Sequence, residues 1–284
     1  SSARLTILPN ATKTVTITGN SATSIFKLNG ADYVSINGSN TWTTSKDLTI
    51  ENQNQLAGSA VIWLASGSAA NTGASYDTIK NCNIKAGINS LITYGICLSG
   101  TAIGSTSGYD NDYNTIQNNY IYKAYYGIYS YGVTANQSNN LNISGNTIGA
   151  PQGTATDYIS RNGIYLYYNT YPTISQNTIR NVISDLSGTP AGLYLTTGST
   201  NATVSRNNIN NIIYSGTSGY GGWGIYASGT DASLFDNNVI YQIGGDGYTS
   251  FSNSSPVGMY FDGTIAGLTV YYNSVYMSGA LTYN

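Results

Sequence analysis

One short pattern returns along this chain and leaves few folds open to it. An apolar residue is followed three positions on by asparagine and five positions on by a second apolar residue. It runs Ile116-x-x-Asn119-x-Ile121, Ile143-x-x-Asn146-x-Ile148 and Ile174-x-x-Asn177-x-Ile179. It continues as Val204-x-x-Asn207-x-Ile209, Leu234-x-x-Asn237-x-Val239 and Val270-x-x-Asn273-x-Val275. An earlier copy, Ile79-x-x-Cys82-x-Ile84, carries cysteine in place of asparagine. A second pattern alternates with the first: glycine, an apolar residue, then tyrosine, from Gly127, Gly163, Gly192, Gly224 and Gly258, with Cys97 replacing tyrosine after Gly95. Two looser copies precede them, Ile25–Leu28 and Val61–Leu64. Two ladders interleaved at a period of about 30 residues are the mark of a repeat architecture.

That period suits one coil of three short strands and three turns, at ~3.3 Å per strand residue. The spacing varies between copies, and turns are where such variation is tolerated. From Ile148 onward the longer gap of each coil precedes Gly163, Gly192, Gly224 and Gly258, so these loops are expected along one edge. Two-residue alternation then assigns faces. Ile96, Ile128, Ile164, Leu193, Ile225 and Met259 point inward, as do Ile79, Ile116, Ile143, Ile174, Val204, Leu234 and Val270. Lys27, Trp63, Cys97, Tyr129, Tyr165, Tyr194, Tyr226 and Tyr260 point outward. Equivalent residues of neighbouring coils should lie ~4.8 Å apart. Asn119, Asn146, Asn177, Asn207, Asn237 and Asn273 are expected to form a hydrogen-bonded amide ladder, broken at Cys82. The fold expected is all-β: a single-stranded right-handed parallel β-helix (β-solenoid) of about eight coils, its hand following from the crossover rule. No linker composition divides residues 1–284, which read as one β-helix domain. The chain starts without methionine or a signal peptide and stops at Asn284 without a closing element, so it is expected to be a segment of a longer protein.

These motifs resemble the right-handed parallel β-helix repeats of pectate-lyase-like proteins, over roughly residues 25–280. The stretches 47–52, 78–84 and 109–121 also resemble repeats in large bacterial surface proteins exported by the type IX route. The first resemblance implies activity on acidic polysaccharides. Lyases of that kind use clustered aspartates for calcium with an arginine or lysine base; hydrolases need carboxylates flanking the scissile bond. Here the carboxylates fall at unlike positions in their coils: Asp231 is seven residues past Gly224, Asp262 four past Gly258.

Composition narrows the function further. There is no histidine, which excludes every Ser-His-Asp, Cys-His and His-metal site. Only 8% of residues are charged and the net charge is −2, so no basic stripe exists for nucleic acid. No apolar run approaches the ~18 residues of a membrane span. Asp110-x-Asp112-x-Asn114 has the alternating oxygens of a calcium loop but no completing glutamate, and an Asx-rich turn is the stronger reading. Cys82 and Cys97 lie on different ladders and are expected as two unpaired thiols. No metal and no cofactor are called for.

The most informative feature is the outward aromatic column Trp63, Tyr129, Tyr165, Tyr194, Tyr226 and Tyr260. Tyrosine is a good strand residue whose stacking alone stabilises a sheet, but a row of it also offers apolar area with polar tips. The expectation is a non-catalytic extracellular structural or adhesive β-helix module, secreted or on a bacterial cell surface. Its partner would be a polysaccharide or cell-surface glycan. The alternatives are an end-to-end assembling fibre subunit and a polysaccharide lyase or hydrolase.

Overall fold

The structure is a computed structural model and describes residues 4–150, 156–246 and 254–277. Every described strand pairing between consecutive coils is parallel, and the strands form three long sheets of nine, nine and eight strands. The first sheet begins with Leu5–Ile7 and ends with Thr269–Tyr271; the second runs from Val15–Gly19 to Ser274–Tyr276; the third from Ser24–Asn29 to Val257–Asp262. The chain visits them in that order in each turn. It completes eight coils and begins a ninth, a parallel β-solenoid. The coils start at Leu5, ahead of the first copy in the sequence pattern. An insertion at residues 38–47 separates Ile36 from Leu48 and hides an early copy from the asparagine motif.

Like residues stack on like. Ile79, Ile116, Ile143, Ile174 and Val204 follow one another in register on the first sheet, all buried. Ile96, Ile128, Ile164, Leu193 and Ile225 do so on the third. Each such column removes apolar area from water at about 25 cal/mol per Å². The fifth asparagine copy is corrected by one residue. Val204 pairs with Phe235, not Leu234, and Phe235 pairs onward with Val270. Leu234 and Val239 are apolar neighbours of the true core residues Phe235 and Ile240, so both registers satisfy the pattern.

Two turns of the coil demand a left-handed residue. Between the first and second sheets it is Asn81, Asn118, Gly145, Gln176, Arg206, Asn237 and Tyr272 in successive coils, with φ from 52° to 65°. Between the third and first sheets it is Tyr33, Tyr76, Tyr113, Asn140, Tyr171, Asn201, Ala232 and Gly267. The glycine of the second motif has a different reason. A Cβ on Gly163 would lie 2.6 Å from the carbonyl oxygen of Gly192 in the next coil and against Ile179 Cγ2; Gly95, Gly127, Gly192 and Gly224 meet the same obstacles in their own coils. Gly163→Ala should therefore cost about 1–3 kcal/mol by overpacking, measured by urea unfolding; an unchanged midpoint would contradict this packing.

Candidate functional site

The first ladder is built on the asparagine that follows each left-handed residue. Asn146 shows the geometry. Its backbone N–H and its Nδ2 both donate to Asn177 Oδ1, at 3.0 Å each. Its Nδ2 also donates to the Ile116 carbonyl of the preceding coil at 2.8 Å. One side chain thus ties three coils together. The same set repeats from Asn119 to Asn146, Asn177 to Asn207, Asn207 to Asn238 and Asn238 to Asn273. Asn238 is therefore the ladder member, and the expected Asn237 is the left-handed residue before it, φ 54°. The ladder stops at Cys82, whose backbone N–H reaches Asn119 Oδ1 but whose thiol cannot continue the series. This column is buried and structural. Cys82 and Cys97 are both unpaired and buried, and burial pushes each thiol up to about 12, so neither ionises at neutral pH.

The outward aromatic column forms as expected in register and differs in exposure. Tyr129, Tyr165 and Tyr194 stack face to face with centroids 4.9 and 5.1 Å apart, and Tyr194 meets Tyr226 at 4.4 Å. Tyr260 breaks the stack, lying edge-on to Tyr226 at 81°. Ring faces are thereby spent on one another, and what remains for a partner is the hydroxyl edge. Trp63 is not on an open face at all. It is 4% exposed, packs in a cluster with Tyr94 and Cys97 that Ile103 covers, and donates from Nε1 to Ser99 Oγ at 3.0 Å. Tyr226 is 8% exposed and donates its hydroxyl to Asp262 Oδ2 at 2.9 Å. The half-buried centre of the face is Tyr165 and Tyr194. Burial, then neighbouring tyrosines, raise the Tyr165 hydroxyl well above its ordinary value; burial raises that of Tyr194 too, partly offset by hydrogen bonding with Tyr226 and then by Arg161. Both remain neutral donors at neutral pH.

Two residues of this face were not read from the sequence. Tyr126 lies 5.0 Å from Tyr129, and Trp223 stacks on Tyr226 at 4.8 Å. Strict alternation puts residues three apart on opposite faces. The tucked-in glycine after Tyr126 and after Trp223 allows both to share one.

A second aromatic column, also unread, lines the corner between the third and first sheets. Tyr33, Tyr76 and Tyr113 stack at 5.0 and 4.8 Å, nearly parallel. Their signal is Tyr-x-Ser/Thr-Ile, present at Tyr33, Tyr76, Tyr113 and Tyr171. Beside them Asp32, Asp110 and Asp112 border a cleft with Asn71, Ser75 and Tyr76. The calcium-loop spacing is not realised as a loop. Asp110 Oδ2 accepts from Asn71 N at 2.6 Å, Asp112 Oδ1 from Asn139 N at 2.7 Å, and the buried Asn114 Oδ1 from Asp77 N at 2.9 Å. The three side chains stitch different coils, and among the described residues no group of three metal-ligating side chains converges.

Under this corner lies Asp77, 1% exposed. Its Oδ1 accepts from Val34 N at 2.7 Å, and its Oδ2 is buried without a partner. One coil on, Asn114 makes the equivalent bond and donates Nδ2 to the Ala74 carbonyl at 2.8 Å. A carboxylate lacks that donor, so burial raises the Asp77 carboxyl to about 7.

No known family profile matches the sequence, and no curated protein is similar to it. Solved structures resemble its chain path at low identity. The enzymatically active domain of bacteriophage CBA120 tailspike protein 2 is 11% identical, with a TM-score of 0.49 over 93% of this chain and 44% of that one. The Dettilon tailspike protein is 11% identical, with a TM-score of 0.41 over 96% and 56%. PfbA, a surface adhesin of Streptococcus pneumoniae, is 11% identical, with a TM-score of 0.33 over 97% and 83%. The chain spans about half the length of the two tailspike structures.

The folded state holds the Asp77 proton up to about pH 7, whereas the unfolded chain releases it near 3.8. Its contribution to stability is full below that lower value and is lost as pH rises toward about 7. Asp77→Asn should remove this loss, so the melting temperature of the variant minus that of the parent should grow between about pH 4 and pH 7. A constant difference across that range would refute the assignment. Asn177→Ala should leave the Asn146 donors and the Ile143 carbonyl unsatisfied, at on the order of 1–3 kcal/mol per buried group, measured by chemical denaturation. Parent-like stability would show that the ladder does not hold the coils.

Proposed function

We propose that this chain is a non-catalytic structural and adhesive module that acts outside the cell and holds polysaccharide or surface glycan along its aromatic face. The observation that carries the reading is the run Tyr129–Tyr165–Tyr194–Tyr226. Four rings are locked face to face, each set by the coil beneath it. Such a surface is preorganised, so a ligand need not pay to order it. Its edge offers neutral hydroxyls from Tyr165 and Tyr194 at the spacing of the coils, and Arg161 stands alongside, close enough to affect both Tyr126 and Tyr194. A polymer lying along the stack would meet the same chemistry in coil after coil.

Polysaccharide cleavage is the second reading, favoured by the corner cleft. Burial, with Asp110 as a like-charged neighbour, raises the Asp112 carboxyl, the direction a proton donor requires. Incubation with pectin or alginate, read as unsaturated or reducing ends, would reveal it.

A glycan array tests the first reading. Tyr165→Phe with Tyr194→Phe keeps the stacked rings and removes only the hydroxyls. We expect the parent to give a signal and this double variant to lose at least tenfold in affinity, each 1.4 kcal/mol being a factor of ten. A silent parent, or a variant that binds as the parent does, would sink the proposal.

A further inference from the structure

The corner column carries a feature that the stacked tyrosines make visible. Its eight members occupy one register: the N–H of each donates to the carbonyl just before the next member, as Tyr76 N does to Asp112 O, Tyr113 N to Asn139 O, Asn140 N to Thr170 O and Tyr171 N to Thr200 O. Tyr33, Tyr76 and Tyr113 fill three consecutive rungs with stacked rings. The next rung holds Asn140, and the one after holds Tyr171. Of the five rungs from Tyr33 to Tyr171 only that of Asn140 lacks a ring; Asn201, Ala232 and Gly267 follow.

The tyrosines are there against the backbone's preference. All four have positive φ, 61°, 59°, 54° and 56°, a conformation that is a marked outlier for bulky side chains. Asparagine and glycine, which adopt it readily, take other rungs of the same column. Tyr113 and Tyr171 are 48% and 56% exposed, so burial in the core does not account for them.

We infer that the gap at Asn140 is a binding slot for one neutral hexopyranose ring, held between Tyr113 and Tyr171. The two tyrosines sit two coils apart, about 9.6 Å at ~4.8 Å per coil. That is the separation across which Tyr33 and Tyr113 hold the Tyr76 ring between them, so one six-membered ring fits. A hydroxylated ring, rather than a flat aromatic, is selected by what lines the slot. The floor is polar. The Asn140 amide is exposed and takes no partner among the described residues. Beside it the residues preceding each column member are Asp112, Asn139 and Thr170, whose side chains are tied together through Gln137 and leave the Asn140 amide as the open polar group of the floor. Carboxylates at Asp110 and Asp112 repel uronic acids, so the ring is neutral. Only the class of ligand rests on the glycan-binding reading; the site lies on a different edge from Tyr165 and Tyr194.

Filling the slot is the test. Asn140→Tyr completes the ring column, and its backbone conformation is one that tyrosine already adopts on four other rungs. The probes are the methyl glycosides of glucose, galactose and mannose, with indole as the aromatic comparison, titrated into protein with isotope-labelled tyrosine and followed by NMR. The result expected is that the Tyr113 and Tyr171 ring signals shift with at least one glycoside, and that Asn140→Tyr, while folded by circular dichroism, weakens that binding at least tenfold. Tyr171→Ala should weaken it as well, and Tyr165→Phe with Tyr194→Phe should not. No shift with any glycoside, a shift with indole alone, or undiminished binding by Asn140→Tyr overturns the slot. Loss in the Tyr165/Tyr194 double variant alone would support the ladder face and overturn the slot.

Discussion

The hydrogen bond from each coil to the next is the constraint on which the rest of this molecule depends. Parallel pairing fixes neighbouring strands at one spacing and one register, so any residue type repeated in sequence is repeated in space. Ile164 lies on Leu193 and Tyr165 on Tyr194 for the same reason. The asparagine column strengthens that pairing at a turn, where backbone groups would otherwise lack partners: each amide satisfies donors and acceptors from three coils. With few charges to place, the chain relies on neutral ladders, and the ion pair of Lys85 with Glu51, at 3.4 Å, sits at the surface.

Stacking also decides what the aromatic residues can do. Rings a coil apart cover one another, so a long tyrosine run presents edges. A face becomes available only where the run is interrupted. The two aromatic surfaces therefore differ in kind: the sheet face is a row of hydroxyls, while the corner has an opening at Asn140.

Much of the fold was legible because the determinants are single residues at fixed offsets. Gly163 marks a spot where no Cβ fits, and Asn177 marks a rung. The reading slipped where two residues satisfied the same pattern, as Asn237 and Asn238 do, and where a loop intervened, as at residues 38–47. It also misjudged exposure. Trp63 obeys the outward alternation, yet the loop bearing Ile103 closes over it, and strand period carries no information about loops. The corner tyrosines were overlooked because they belong to turns, though Tyr-x-Ser/Thr-Ile announces them. Nothing in the sequence sets Asp77 apart from the other carboxylates; only its register with Asn114 shows that it stands where an amide belongs.

The asparagine ladder has a sense. Every rung donates toward the higher-numbered coil, so the amide dipoles add rather than cancel. Its last described rung, Asn273, accepts from Asn238 and turns its Nδ2 back to the Phe235 and Tyr271 carbonyls, while its first, Asn119, accepts from Cys82. A lost rung therefore takes an acceptor from the coil before it and a side-chain donor from the coil after it, so one substitution is felt in both directions along the stack.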